Sequence, residues 1–155
     1  MDLEKVTYQE QILIFEEFNN DMALSLALII SEQTKERFDK PVGIQIYYDG
    51  KIVLYYLMEG RKESPWLLRK RKTVLESGHS SLFVRLNSGD DLYKSWENDS
   101  EYAICGGGFP IRINGGIRGA ICVSGLNHQD DHQLIVDALC KLLEKQTNES
   151  EKKND

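Results

Sequence analysis

VGIQIYYDGKIVLYYLM, residues 42–58, is the stretch on which the reading of the fold turns. Val42, Ile44, Ile46 and Tyr48 alternate with Gly43, Gln45 and Tyr47, the two-residue period of a strand half buried in a sheet. Asp49-Gly50 follows, a pair that tolerates positive φ at both positions and so closes a two-residue hairpin. Ile52 to Met58 makes the return strand. A hairpin of this kind needs a hydrophobic layer against it, and the flanking segments supply candidates.

Before the hairpin, Leu3 to Phe18 spaces Ile12, Ile14, Phe15 and Phe18 among acidic residues, which predicts a helix with one wet face. Asn19, Asn20 and Asp21 offer capping oxygens for a second helix from about Met22 to Phe38, which Pro41 stops. Its first half is apolar almost all round, so burial on more than one side is expected. After the hairpin, Ser64-Pro65 reads as an N-cap with proline at the first helical position. The helix it opens runs from Trp66 to about Ser77 and ends at Gly78. A short helix from Ser80 to about Leu86, a loop over Asn87 to Asp91 and a short strand over Glu101 to Ile104 are expected next.

Gly106-Gly107-Gly108 breaks that strand, and Phe109 to Ile113 resumes extended structure. Asn114-Gly115 is a second hairpin turn, and Ile117 to Ser124 is apolar enough to be a central strand. Asn127 can cap the last helix, with Asp130 and Asp131 in its first turn, where the helix dipole favours negative charge. Leu134, Ile135, Ala138, Leu139, Leu142 and Leu143 form its buried stripe. From Thr147 the polar run TNESEKKND predicts disorder. The fold class expected is α/β of the α+β type, a largely antiparallel single sheet flanked by helices. One domain over residues 1–146 is expected, followed by a disordered tail over 147–155.

Hydrophobic residues at 41% and charged residues at 28% are ordinary for a folded globular chain. The net charge of −6 speaks against a nucleic-acid-binding surface. The N-terminus MDLEKVTYQEQ lacks the basic-then-apolar pattern of a signal peptide. Met22 to Ile30 is about half the ~20 residues of a membrane span. A cytoplasmic protein without membrane contact is therefore expected. Cys105, Cys122 and Cys140 show no CxxC or zinc-finger spacing, and small buried thiols are expected.

Four features carry candidate chemistry. Arg69-Lys70-Arg71-Lys72 is the one concentrated run of positive charge, read either as a solvated helix face or as an anion subsite built on Arg69 and Arg71. Gly106-Gly107-Gly108-Phe109-Pro110 is either a sharp bend entering a strand or a backbone cradle for a ligand. Ser80, beside His79 and Ser81, caps a helix or meets the same ligand. His128 and His132 stand four residues apart on one helix face, but Gln129 replaces the Glu that a hydrolytic zinc helix needs, so no metal site is assigned. There is no GxSxG and no spacing that selects a nucleophile, so no catalytic residue is assigned.

Three segments together resemble the haem-degrading-domain superfamily: Trp66 to Arg71 with Ser80-Ser81; Gly107-Gly108-Phe109-Pro110-Ile111; and Val123-Ser124-Gly125-Leu126 with Asp131-His132. The chain is similar to its HbpS-like and GlcG-like members and to the C-terminal domains of PduO-type corrinoid adenosyltransferases. The resemblance covers about residue 8 to residue 143 of this sequence. It implies a profilin-like fold, homo-oligomers of dimeric size or larger, and haem or corrinoid as a ligand. The expectation is a non-catalytic, oligomeric binding or interaction protein for a small anionic ligand or tetrapyrrole. Its pocket would hold Arg69, Arg71, His79, Ser80, Gly107, Gly108 and Phe109. An enzyme acting on haem or a related cofactor, and a structural adaptor for protein partners, are the alternatives.

Overall fold

The computed structural model describes residues 1–154. Its elements run α1 (Leu3–Ile12), α2 (Asn20–Arg37), β1 (Gly43–Tyr48), β2 (Lys51–Leu57), α3 (Trp66–Ser77), α4 (Ser81–Leu86), α5 (Asp91–Lys94), β3 (Gly108–Ile113), β4 (Gly116–Ser124) and α6 (His128–Asn154). The strands form one antiparallel sheet in the order β2-β1-β4-β3. Both hairpins lie where the turn chemistry puts them. Asp49 and Gly50 both take positive φ, whereas at the second turn Asn114 does so without Gly115. β4 is central and β1 beside it, which accounts for their near-continuous burial.

One face of the sheet meets α2 and α6, and Leu26, Ile30, Ile44, Ile46, Ile121, Leu134, Ile135 and Leu139 fill the layer between. The other face meets α3, where Leu67 and Val74 pack on Ala120 and Cys122. Helices therefore cover both faces. α2 is buried on Met22, Ala23, Leu26, Ala27 and Ile30, but Leu24 and Leu28 point outward at 52% and 62% exposure, so the all-round burial expected of its first half is not reached.

Four local expectations change. The first helix ends at Ile12, and beyond it Phe15 forms a parallel bridge to Ile113, with its N–H donating to Arg112 O at 2.8 Å. Extending the helix would have cost that added edge contact. Pro65, not Ser64, holds the cap position of α3 and makes no side-chain cap bond. Glu101 to Ile104 is not a strand, because α3 side chains satisfy its backbone. Arg69 Nε donates to Tyr102 O at 2.8 Å, and Ala103 N–H donates to Thr73 Oγ1 at 2.9 Å. Of the segment 147–155 expected to be disordered, residues 147–154 continue α6, and Asp155 lies outside the described residues. Elongating an existing helix costs little, and its Glu and Lys residues are good helix formers.

Candidate functional site

Lys70 organises the centre of the molecule. α3 carries four consecutive basic residues, and a helix turns each about 100° from the last. Lys70 is the one that faces inward, at 2% exposure. Its Nζ donates to Val123 O at 2.8 Å and to Asp131 Oδ2 at 3.2 Å. The second oxygen of Asp131 accepts from Leu126 N–H at 3.1 Å. Burial raises the Asp131 carboxyl above its ordinary range, while Lys70 and the backbone donors oppose that shift. Both oxygens accept, one from an ammonium and one from an amide N–H, which keeps the group a carboxylate.

The glycine triplet serves this ion pair. A Cβ on Gly107 would lie 2.5 Å from Lys70 Nζ and 2.5 Å from Val123 O, and its φ is +116°. A Cβ on Gly106 would lie 2.3 Å from His128 O. Gly108 N–H donates to Ser81 Oγ at 2.9 Å. The bend is thus filled from within by Lys70, Ser81 and the start of α6.

Beside the ion pair opens a cavity of about 250 Å³, lined by Arg61, Trp66, Lys70, Cys105, Ser124, Gly125, Leu126, His128 and Asp131. Arg61 Nη2 reaches Ser124 Oγ at 3.2 Å and has no carboxylate partner among the described residues. His128 Nδ1 accepts from Gly106 N–H at 3.0 Å, which fixes the proton of the neutral ring on Nε2. Burial, then Arg85 and Lys70, holds His128 below the usual imidazole range and therefore neutral. Burial likewise pushes the Cys105 thiol up. Beside the Lys70–Asp131 pair, the wall presents three donors: a guanidinium, an Nε2–H and a hydroxyl. An anion is what such a wall receives.

The residues expected to share one pocket do not surround this cavity together. Arg69 borders it only through Trp66, over whose ring its guanidinium lies at 4.2 Å. Arg71 turns to the opposite side, donating to Gln45 Oε1 at 3.1 Å and stacking over Tyr47. Gly107 and Gly108 are buried behind Lys70 and Ser81, and Phe109 is fully buried in the core. Ser80 caps α4, its Oγ accepting from Phe83 N–H at 3.1 Å. His79 lies in a second cleft with Glu10 and Arg112. Arg61, Ser124 and His128 line the cavity but are not among the site residues expected from the sequence. Arg61 carries no signal beyond its charge, whereas Ser124 falls within the quoted Val123–Leu126 segment.

A family model described as "Haem degrading protein HbpS-like" matches residues 18–140. A UPF0303 protein of Sinorhizobium medicae is 38% identical over 153 residues, covering 92% of this chain and 90% of the relative. Among solved structures, that of the Ybr137w protein aligns with a TM-score of 0.84 at 28% identity, covering 95% of this chain and 90% of that one. The PduOC:haem complex aligns at 0.67 and 18% identity, covering 79% and 93%, a likeness of fold.

Proposed function

The chain belongs to the haem-degrading HbpS-like family, and from that premise we propose that it is a self-assembling binding protein whose cavity beside Lys70 holds, without catalysis there, a small carboxylate-bearing ligand. The observation that carries this is Arg61: a guanidinium without a carboxylate partner, set beside Ser124, His128 and Trp66 at the mouth of a cavity in an acidic protein. A planar fork of this kind receives a carboxylate with two parallel bonds, and Trp66 offers a flat apolar face to the rest of the ligand.

Haem, the group named in the family's description and in the solved PduOC:haem complex, would meet this cavity through a propionate and not through its metal. His128 shows its Nε2–H, not a lone pair, and the Cys105 thiol is held protonated by burial. Neither is in the form that ligates a metal.

Calorimetric titration with haem, with metal-free protoporphyrin and with small dicarboxylates tests the proposal. Porphyrins with and without iron should bind alike, and Arg61→Ala should weaken binding by roughly tenfold, the loss of one charge-assisted pair. Binding that depends on iron, or that Arg61→Ala leaves unchanged, would overturn it.

A further inference from the structure

The second cleft, about 290 Å³, lies where α1, the turn after α3 and the β3–β4 hairpin meet. Glu10, His79 and Arg112 are among the residues that line it. Glu10 is only 5% exposed, and three donors converge on it. His79 Nδ1 lies 3.1 Å from Oε1, Arg112 Nη2 lies 3.3 Å from the same oxygen, and Ser80 Oγ–H lies 3.3 Å from Oε2. Arg112 Nη2 also donates to Gly78 O at 2.7 Å, while its Nε has no partner among the described residues.

The partner on Nδ1 decides what His79 offers the cleft. A carboxylate only accepts, so Nδ1 carries the proton and Nε2 of the neutral ring is a bare lone pair. That nitrogen has no hydrogen-bond partner among the described residues and is not among their buried unpartnered atoms. The ring is held in place by stacking on Phe83, with centroids 3.7 Å apart and planes 9° from parallel. The other two histidines are excluded from this role. His128 has its proton on Nε2, and His132 is fully buried with Nε2 bonded to Gln9 Oε1 at 2.7 Å.

We propose that this cleft is a second, reactive site, in which His79, oriented by Glu10 and flanked by Arg112, accepts acyl groups from small esters. In the first half, the Nε2 lone pair adds to the ester carbonyl, and the oxyanion forms beside the Arg112 guanidinium. Collapse expels the alkoxide or phenolate with its electron pair, leaving an acyl-imidazolium whose Nδ1–H faces the Glu10 carboxylate. In the second half, water adds to the acyl carbon, the carbon–nitrogen bond breaks, and the electron pair returns to Nε2. The carboxylic acid leaves with one of the water's two protons, and the other passes through solvent to the departed alkoxide or phenolate. His79 is the catalytic residue in this scheme, and Glu10 is a positioning residue.

p-Nitrophenyl acetate is the probe, with nitrophenolate release followed by absorbance. The wild-type chain should release it faster than free imidazole at the same concentration, and His79→Gln should lower the rate by roughly tenfold or more. Glu10→Gln should lower it severalfold and move His79 toward the Nε2–H tautomer in nitrogen-15 spectra, with folding checked by circular dichroism. If Glu10→Gln does not fold, the wild-type spectrum decides: His79 found with its proton on Nε2 overturns the proposal. A His79→Gln chain that keeps the wild-type rate overturns it as well.

Discussion

His132 is a buried imidazole with one nitrogen satisfied by Gln9 and the other, Nδ1, without a partner among the described residues. Burial pushes its pKa down to about 4, with the nearby His128 adding to the shift. An unfolded histidine titrates near 6.5, so between these values the unfolded chain holds more protons than the folded one. Stability is then complete above about pH 6.5 and falls as the pH drops toward 4. The full difference is on the order of 3 kcal/mol, from about 1.4 kcal/mol for each unit of separation. Burial depresses His128 in the same direction, so it adds to the slope. Urea unfolding at pH 7 and at pH 4.5 should show the wild type losing most of that amount, and His132→Gln losing less. Equal losses in the two proteins would refute the assignment. The sequence displayed the pair His128 and His132 at helical spacing, but not which ring nitrogen of each holds a proton. That is decided by Gly106 and Gln9, which approach from elsewhere in the chain.

Lys70 ties three elements together: α3 that bears it, the end of β4 through Val123 O, and α6 through Asp131. Removing one member of a buried pair strands the other, a loss of roughly 3–5 kcal/mol, larger than the pair's own net contribution. Lys70→Ala should therefore destabilise the fold by about that much. Adding Asp131→Asn should cost less than the two single losses combined, a coupling of roughly 1–3 kcal/mol in a denaturant double-mutant cycle. Strict additivity would show that the pair is not a clamp. The elements themselves were largely legible, because each is written in local signals: the strand period of 42–58, the two turn dipeptides, and the caps at Asn19, Ser80 and Asn127. The site was less so. Arg69 to Lys72 are alike in sequence, and only the angle of α3 against the sheet selects Lys70 for the interior. Glu10 and His79 are 69 positions apart and become a pair only when α1 closes on the turn before α4. The failure at Glu101 to Ile104 has the same origin, since its backbone partners belong to α3.

At the scale of the whole molecule, the apolar surface is unevenly distributed. Leu24 and Leu28 are four residues apart on α2 and share one face of the helix. The edge strand β2, which α2 contacts, exposes Ile52, Tyr55 and Tyr56 at 50%, 41% and 46%. β2 pairs only with β1, so its outer row of backbone groups is open, an arrangement that ordinarily draws a partner or is blunted by charge. Lys51 stands at the strand's start, but Ile52 to Leu57 carries no charge. Apolar residues scattered singly on a surface need no cover, whereas a contiguous patch does. Self-assembly, part of the function proposed above, would cover the Leu24–Leu28 face with an identical one. Light scattering at micromolar concentration should then give a mass at least twice the 17.8 kDa of one chain. The double substitution Leu24→Glu and Leu28→Glu should reduce it toward a single chain without changing helix content, since both side chains face outward and neither supports the core. A wild-type mass of one chain would refute the assembly, and an undiminished mass in the variant would move the interface to another face.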